Sequence, residues 1–193
     1  RPDERHVTLS DTYNLAKVIR TEYNIEGYPD QRYLKIISDI QPKQATLVPD
    51  AEDVLTSNAG WDTIKHKSFL TDLVAQIKES GSRVSIFVEP NNKIIENAKE
   101  IGADRIEFYT GPYADDFLLN KQRAIEPYIQ AALFANSCGL KINAGHDLNL
   151  NNLHYLVQMG NINEVSIGHA IIIDSLHYGF EETIIKYLKI IRK

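Results

Sequence analysis

Short apolar, β-branched runs alternate with longer amphipathic ones along the whole 193-residue chain, and this alternation restricts the fold more than any other feature. The strand-like runs fall at 23–26, 45–48, 84–88, 105–108, 140–143 and 164–167. Helical periods fall between them, at 9–23, 31–40, 63–79, 93–101, 123–138, 151–159 and 179–191. Thr8 and Asp11 are spaced as a capping box, and Gly102, Gly139 and Gly160 stand where helices end, a position that favours a left-handed residue. Strand-then-helix repetition predicts an α/β fold with a parallel sheet. Two architectures satisfy it: an open doubly wound sheet, or a (β/α)8 TIM barrel whose N-terminal strands and helix lie outside this chain. The only methionine is Met159 and the chain opens in a loop at Arg1-Pro2-Asp3, which favours the incomplete barrel. No linker or low-complexity tract interrupts the pattern, so residues 1–193 are expected to form a single barrel domain.

The polar residues sort along the strands. Runs end in chemically useful groups: Glu26, Asp50, Glu89, Thr110, Asn143 with His146, and Gly168 with His169, whereas the run starts carry few. In a parallel barrel all C-terminal strand ends open on the face that holds the active site. His146, in Asn143-Ala144-Gly145-His146, is expected over that mouth, with Gly145 allowing a sharp turn. It suits proton transfer, or it is a loop histidine bonded to backbone. Gly168-His169 opens an apolar helix after the last strand, where exposed N–H groups suit a phosphate; a tight turn is the alternative. Glu26 is either a surface glutamate or a carboxylate whose partial burial makes it a general base. Arg1, Arg5 and His6 crowd one loop and either clamp a phosphorylated sugar or sit in solvent. Thr56-Ser57-Asn58-Ala59-Gly60 offers hydroxyls and N–H groups to a polyol or phosphate, or is a plain turn, and Tyr113 is a candidate lid anchor.

The formal charge of −5 gives no pull toward nucleic acid or an anionic membrane, and no apolar run is long enough to span one. One cysteine, Cys138, leaves no intrachain disulfide, as in a reducing compartment, and reads as a packed small residue. Phosphate-loop, dinucleotide and nucleophile-elbow motifs are absent, the histidines are not spaced as a local zinc set, and no lysine stands at a strand's C-terminal end to form a Schiff base.

The same segments resemble the pyridoxine 5′-phosphate synthase family. Arg1-x-Asp3-x-Arg5-His6-Val7 is similar to the family's Arg-Glu-Asp-Arg-Arg-His-Ile, and Asn24-Ile25-Glu26 to its Asn-Leu-Glu. Leu47-Val48-Pro49-Asp50 with Thr56-Ser57-x-x-Gly60 resembles Leu-Val-Pro-Glu followed by Thr-Thr-Glu-Gly-Gly, and Val84–Val88 and Thr110–Ala114 match too. Asn143–His146 and Ile167–Ile172 match as they stand. The resemblance implies a (β/α)8 barrel, assembled as a cytoplasmic homo-octamer, that condenses 3-amino-2-oxopropyl phosphate with 1-deoxy-D-xylulose 5-phosphate. It implies no metal and no organic cofactor, because one substrate brings the amine. It gives Glu26 the role of proton acceptor and His146 that of proton donor. It places Arg1, His6 and Thr56 at the pentulose phosphate, and position 147, Gly168 and His169 at the aminoketone phosphate. Here position 147 is Asp147 where the family usually has Gly, and a carboxylate there is expected to turn away from a phosphate. Asp50 stands for Glu, and Asn58-Ala59 for Glu-Gly. A barrel aldolase or isomerase acting on a sugar phosphate, and a non-catalytic phosphometabolite-binding barrel, are the two other readings.

Overall fold

A computed structural model describes residues 1–50 and 58–192. The chain runs α1 (Leu9–Val18), β1 (Asn24–Gly27), α2 (Gln31–Ile40), β2 (Gln44–Leu47), α3 (Lys67–Glu79), β3 (Arg83–Val88), α4 (Asn92–Glu100) and β4 (Arg105–Tyr109). It continues through α5 (Gly111–Phe117), α6 (Lys121–Ser137), β5 (Lys141–Gly145), α7 (Leu153–Gln158), β6 (Ile162–Ser166), α8 (His169–Tyr178) and α9 (Phe180–Ile191). The six strands pair in sequence order, all parallel, as six consecutive units of a partial (β/α)8 barrel.

Alternation within the strands separates two environments. One side of the sheet carries Ile25, Ala45, Leu47, Val84, Ile86, Val88, Ile106, Phe108, Ile142 and Ala144, all buried. Ile36 and Ile37 of α2, Leu70, Val74 and Ile77 of α3, Ile95 of α4 and Ala131 and Ala135 of α6 are buried in the same cluster. At roughly 1.5–3 kcal/mol for each large aliphatic side chain, this shell is the main favourable contribution to folding. The other side of the sheet is polar. Asn24 Nδ2 on β1 donates to Glu164 on β6 at 3.3 Å, although 140 residues separate them in sequence. Gln44 on β2 and Arg105 on β4 donate to the same carboxylate. The sheet is therefore curled until its two edges share a half-buried carboxylate. The strand starts are not poor in polar groups, as the sequence suggested: this layer of Asn24, Gln44, Arg105 and Glu164 floors the barrel and fixes its curvature.

Capping follows the sequence closely. Thr8 and Asp11 form the reciprocal box that starts α1, while Asp30, Asn91 and Asn120 accept N–H bonds at the starts of α2, α4 and α6. Residues 111–114 open α5. Its Tyr113 is 1% exposed and donates to Asn152 O at 2.7 Å, so it packs the core instead of anchoring a lid. Tyr113→Phe leaves that carbonyl without its donor and is expected to cost about 1–3 kcal/mol in a denaturant titration.

Gly60 lies against the backbone of β3. A Cβ there would stand 2.5 Å from Val88 Cα and 2.7 Å from Glu89 N. Backbone cannot step aside as a side-chain tip can, so Gly60→Ala is expected to destabilise by about 2–4 kcal/mol, measured as a lowered thermal midpoint. Gly60 thus serves close packing. Thr56, from the same sequence motif, lies outside the described residues.

Candidate active site

A cavity of about 920 Å³ opens at the C-terminal ends of the strands and continues between the edges β1 and β6, where α1 and α8 line it. Glu26, Glu107, His146, Asp147, Gly168, His169, Arg1, His6 and Asp50 all border it. The structure thus brings Arg1, His6, Glu26, His146, Asp147, Gly168 and His169 to one cavity, whereas Arg5, Glu89 and Thr110, also singled out in the sequence, do not line it.

Glu26 projects inward from β1 because Ile25 and Gly27 on either side face the helices. Its carboxyl is open to the cavity on one side and enclosed by protein on the others. That enclosure raises its pKa to about 7, with the nearby Asp50 carboxylate adding to the rise and Arg1 opposing it. Arg1 meets Asp50 at 3.2 Å, both nearly buried, so the guanidinium balances one carboxylate at the edge of the site. The Arg1 loop is in turn tied to α2, since Arg32 donates to Pro2 O at 2.8 Å. His6 lies in that loop, its pKa lowered by burial and by the surrounding positive charge of Arg1, Arg5 and His169.

Glu107 was missed in the sequence. It sits in the middle of β4, 1% exposed, facing the cavity between the outward Ile106 and Phe108. Burial holds its carboxyl well above the usual range, and the Glu26 and Glu164 carboxylates push it higher, against a hydrogen bond from Ser166. Its Oε2 has no hydrogen-bond partner among the described residues. Glu26 and Glu107 therefore form an interacting pair, in which burial and the Glu26 charge both favour the protonated form of Glu107. The signal was in the sequence: a glutamate flanked by Ile and Phe in a parallel strand can only face the barrel interior.

Gly145 has a different purpose from the sharp turn expected of it. It is a β5 residue without positive φ, and a Cβ on it would fall 2.3 Å from Glu107 Oε1. Its bare backbone makes room for the Glu107 carboxyl. The turn is made instead by His146 and Asp147, with φ of 95° and 54°. His146 Nδ1 lies 2.8 Å from Asp147 Oδ2, and the ring stands edge-on to Tyr109 at 5.1 Å. The Asp147 carboxylate thus engages the histidine ring.

Gly168 caps α8, and the first N–H groups of that helix, which have no acceptor within it, open beside His169 on the cavity. No group of three or more His, Cys, Asp or Glu among the described residues is arranged to hold a metal. No described helix is long and apolar enough to cross a membrane. Acid–base groups at the centre and an anion site at the rim suit proton transfers on a phosphorylated substrate.

A sequence model of the family described as pyridoxal phosphate biosynthesis protein PdxJ matches residues 1–193. The chain belongs to the PdxJ family. The relative from Cytophaga hutchinsonii named pyridoxine 5′-phosphate synthase is 53% identical over 194 residues, spanning 100% of this chain and 82% of that protein. A protein of the same name from Porphyromonas gingivalis is 51% identical, over 97% of this chain and 79% of its own length. Among solved structures, phosphoribosylanthranilate isomerase from Thermotoga maritima matches with TM-score 0.59 at 13% identity, covering 98% of this chain and 81% of that one. The tryptophan synthase A-subunit from Pyrococcus furiosus matches with TM-score 0.60 at 12% identity, covering 97% and 74%. At that identity these two speak for the fold alone, and they place this PdxJ member among barrel proteins.

Proposed function

We propose that this chain acts as a pyridoxine 5′-phosphate synthase, condensing 3-amino-2-oxopropyl phosphate with 1-deoxy-D-xylulose 5-phosphate and releasing phosphate and water. The observation that carries this reading is the convergence of Glu26, Glu107 and His146, from three separate strands, on one cavity in a member of the PdxJ family. Ring closure needs repeated proton removal and return at neighbouring carbons. Glu26, titrating near 7, is suited to accept those protons. His146, lining the same cavity, donates them, and the buried Glu107 carboxyl borders the same space. The amine comes with the aminoketone, so no Schiff-base lysine is required of the protein.

The anionic ends of the substrates find two sites in this reading. Gly168 and His169 at the α8 N-terminus receive the aminoketone phosphate, together with the backbone of Asp147, whose carboxylate is turned to His146. Arg1, His6 and Thr56 receive the pentulose phosphate, with Arg1 already ordered by Asp50. The reading includes a single barrel domain, no bound cofactor, a cytoplasmic location in keeping with the lone thiol Cys138, and assembly as a homo-octamer. Exposed Ile172, Ile173 and Leu176 on α8 offer apolar surface of the kind that subunit contacts cover.

The test is turnover with both named substrates, following pyridoxine 5′-phosphate. His146→Asn is expected to lower kcat by about 10²–10⁴-fold, the usual worth of a positioned acid. Binding of both substrates without product in the parent protein would instead favour a phosphometabolite-binding barrel.

A further inference from the structure

We propose that Asp147 is a positioning residue that fixes the tautomer of His146 and so decides which ring nitrogen transfers the proton. The inference rests on the reading of His146 as proton donor and adds a second group to it. The backbone here is held in an unusual conformation from several sides. The Thr110 hydroxyl donates to the carbonyls of Gly145 and His146. The Asn152 amide donates to Asp147 O at 3.0 Å, and Asn149 reaches the same oxygen at 3.5 Å. Both His146 and Asp147 are thereby kept at positive φ. Glycine occupies such backbone at least cost, and aspartate is among the few side-chain-bearing residues that tolerate it. What the side chain adds at this position is a carboxylate oxygen 2.8 Å from His146 Nδ1.

An ionised carboxylate can only accept a hydrogen bond. The neutral ring is therefore held with its hydrogen on Nδ1, and proton transfer falls to Nε2. Tyr109, edge-on to the ring at 5.1 Å, limits its rotation, so the tautomer and the orientation are fixed together. The arrangement is that of a histidine–aspartate dyad, built from adjacent residues by a clamped turn. The Asp147 side chain is 52% exposed, which makes its contribution smaller than that of a fully buried orienting carboxylate.

Asp147→Asn and Asp147→Gly both suit left-handed backbone and are expected to fold. ¹⁵N NMR of histidine-labelled protein reads the ring tautomer, with the His146 signals assigned by their loss in His146→Asn. Steady-state kinetics with the two named substrates read kcat and KM. The expected result is an Nδ1–H ring in the parent, a mainly Nε2–H ring in both Asp147 variants, and kcat lowered about 10- to 100-fold with KM little changed. The inference is overturned if all three proteins show one tautomer, or if only KM for the aminoketone phosphate moves, which would make Asp147 merely a charge near the phosphate. If His146→Asn leaves turnover intact, the assignment of His146 as donor fails and this inference falls with it.

Discussion

Glu26→Gln is expected to lower kcat by about 10²–10⁴-fold and, at the same time, to stabilise the folded protein above neutral pH. The amide keeps the shape of the carboxyl and cannot accept a proton, so chemistry stops while packing survives. The stability gain follows from the raised pKa, about 7 in the folded protein against an ordinary value of 4.5. Below 4.5 the folded and unfolded chains both carry the proton, and the substitution has no electrostatic effect. Between 4.5 and about 7 the folded protein holds a proton that the unfolded chain has released, so stability falls as pH rises. Above that window the whole cost of the enclosed charge is present, and Gln removes it. Because the carboxyl opens on the cavity, solvent screens much of the effect, and the expected gain at pH 8 is about 1 kcal/mol. Thermal melts of the two proteins at pH 4 and pH 8 check this: the midpoints should differ at pH 8 more than at pH 4, in favour of Glu26→Gln. Equal shifts at both values would mean that the Glu26 charge carries no folding penalty.

Gly145→Ala is expected to damage both the fold and the chemistry. The new Cβ would meet Glu107 Oε1 at 2.3 Å and Ser166 Cβ at 3.0 Å. Glu107 is 1% exposed and walled by β4 and its neighbours, so its carboxyl can give way only into the cavity it faces. Either the strand pair β4–β5 separates locally or the carboxyl swings out of the site. We expect a loss of about 2–4 kcal/mol in stability, as for other overpacked interiors, and turnover reduced by at least about 10²-fold. The double variant Gly145→Ala/Glu107→Ala separates the two effects. Removing the Glu107 carboxyl relieves the clash, so most of the stability should return while turnover does not. Full stability in the single variant would show that Gly145 makes no room for Glu107.

Much of this architecture could be read from the residues. The β1 and β4 runs were placed within about two residues, as alternation and flanking turn residues allow. The ends of α4, α6 and α7 were marked by Gly102, Gly139 and Gly160, each of which has positive φ. Helix α1 was drawn too long, because the apolar period continues past Val18 although Ile19 already adopts extended backbone. Helix α5 was missed because Gly111-Pro112 reads as a turn, although Pro is well suited to the first turn of a helix. Glu107 is legible in principle, since the barrel interior takes mid-strand side chains as well as those at strand ends. The His146–Asp147 contact is not legible, since it depends on two consecutive positive φ angles held in part by Thr110, 36 residues from His146 in sequence. Likewise Asn24 and Glu164 share no local pattern, and only the curvature of the sheet brings them together.

The most direct measurement is a crystal structure of the protein with pyridoxine 5′-phosphate bound. The pyridine ring should lie in the cavity between Glu26 and His146, within hydrogen-bond reach of both, with its phosphate at an anion site on the rim such as the α8 N-terminus. A product molecule seated away from these two side chains, or on the N-terminal side of the strands, would contradict the account.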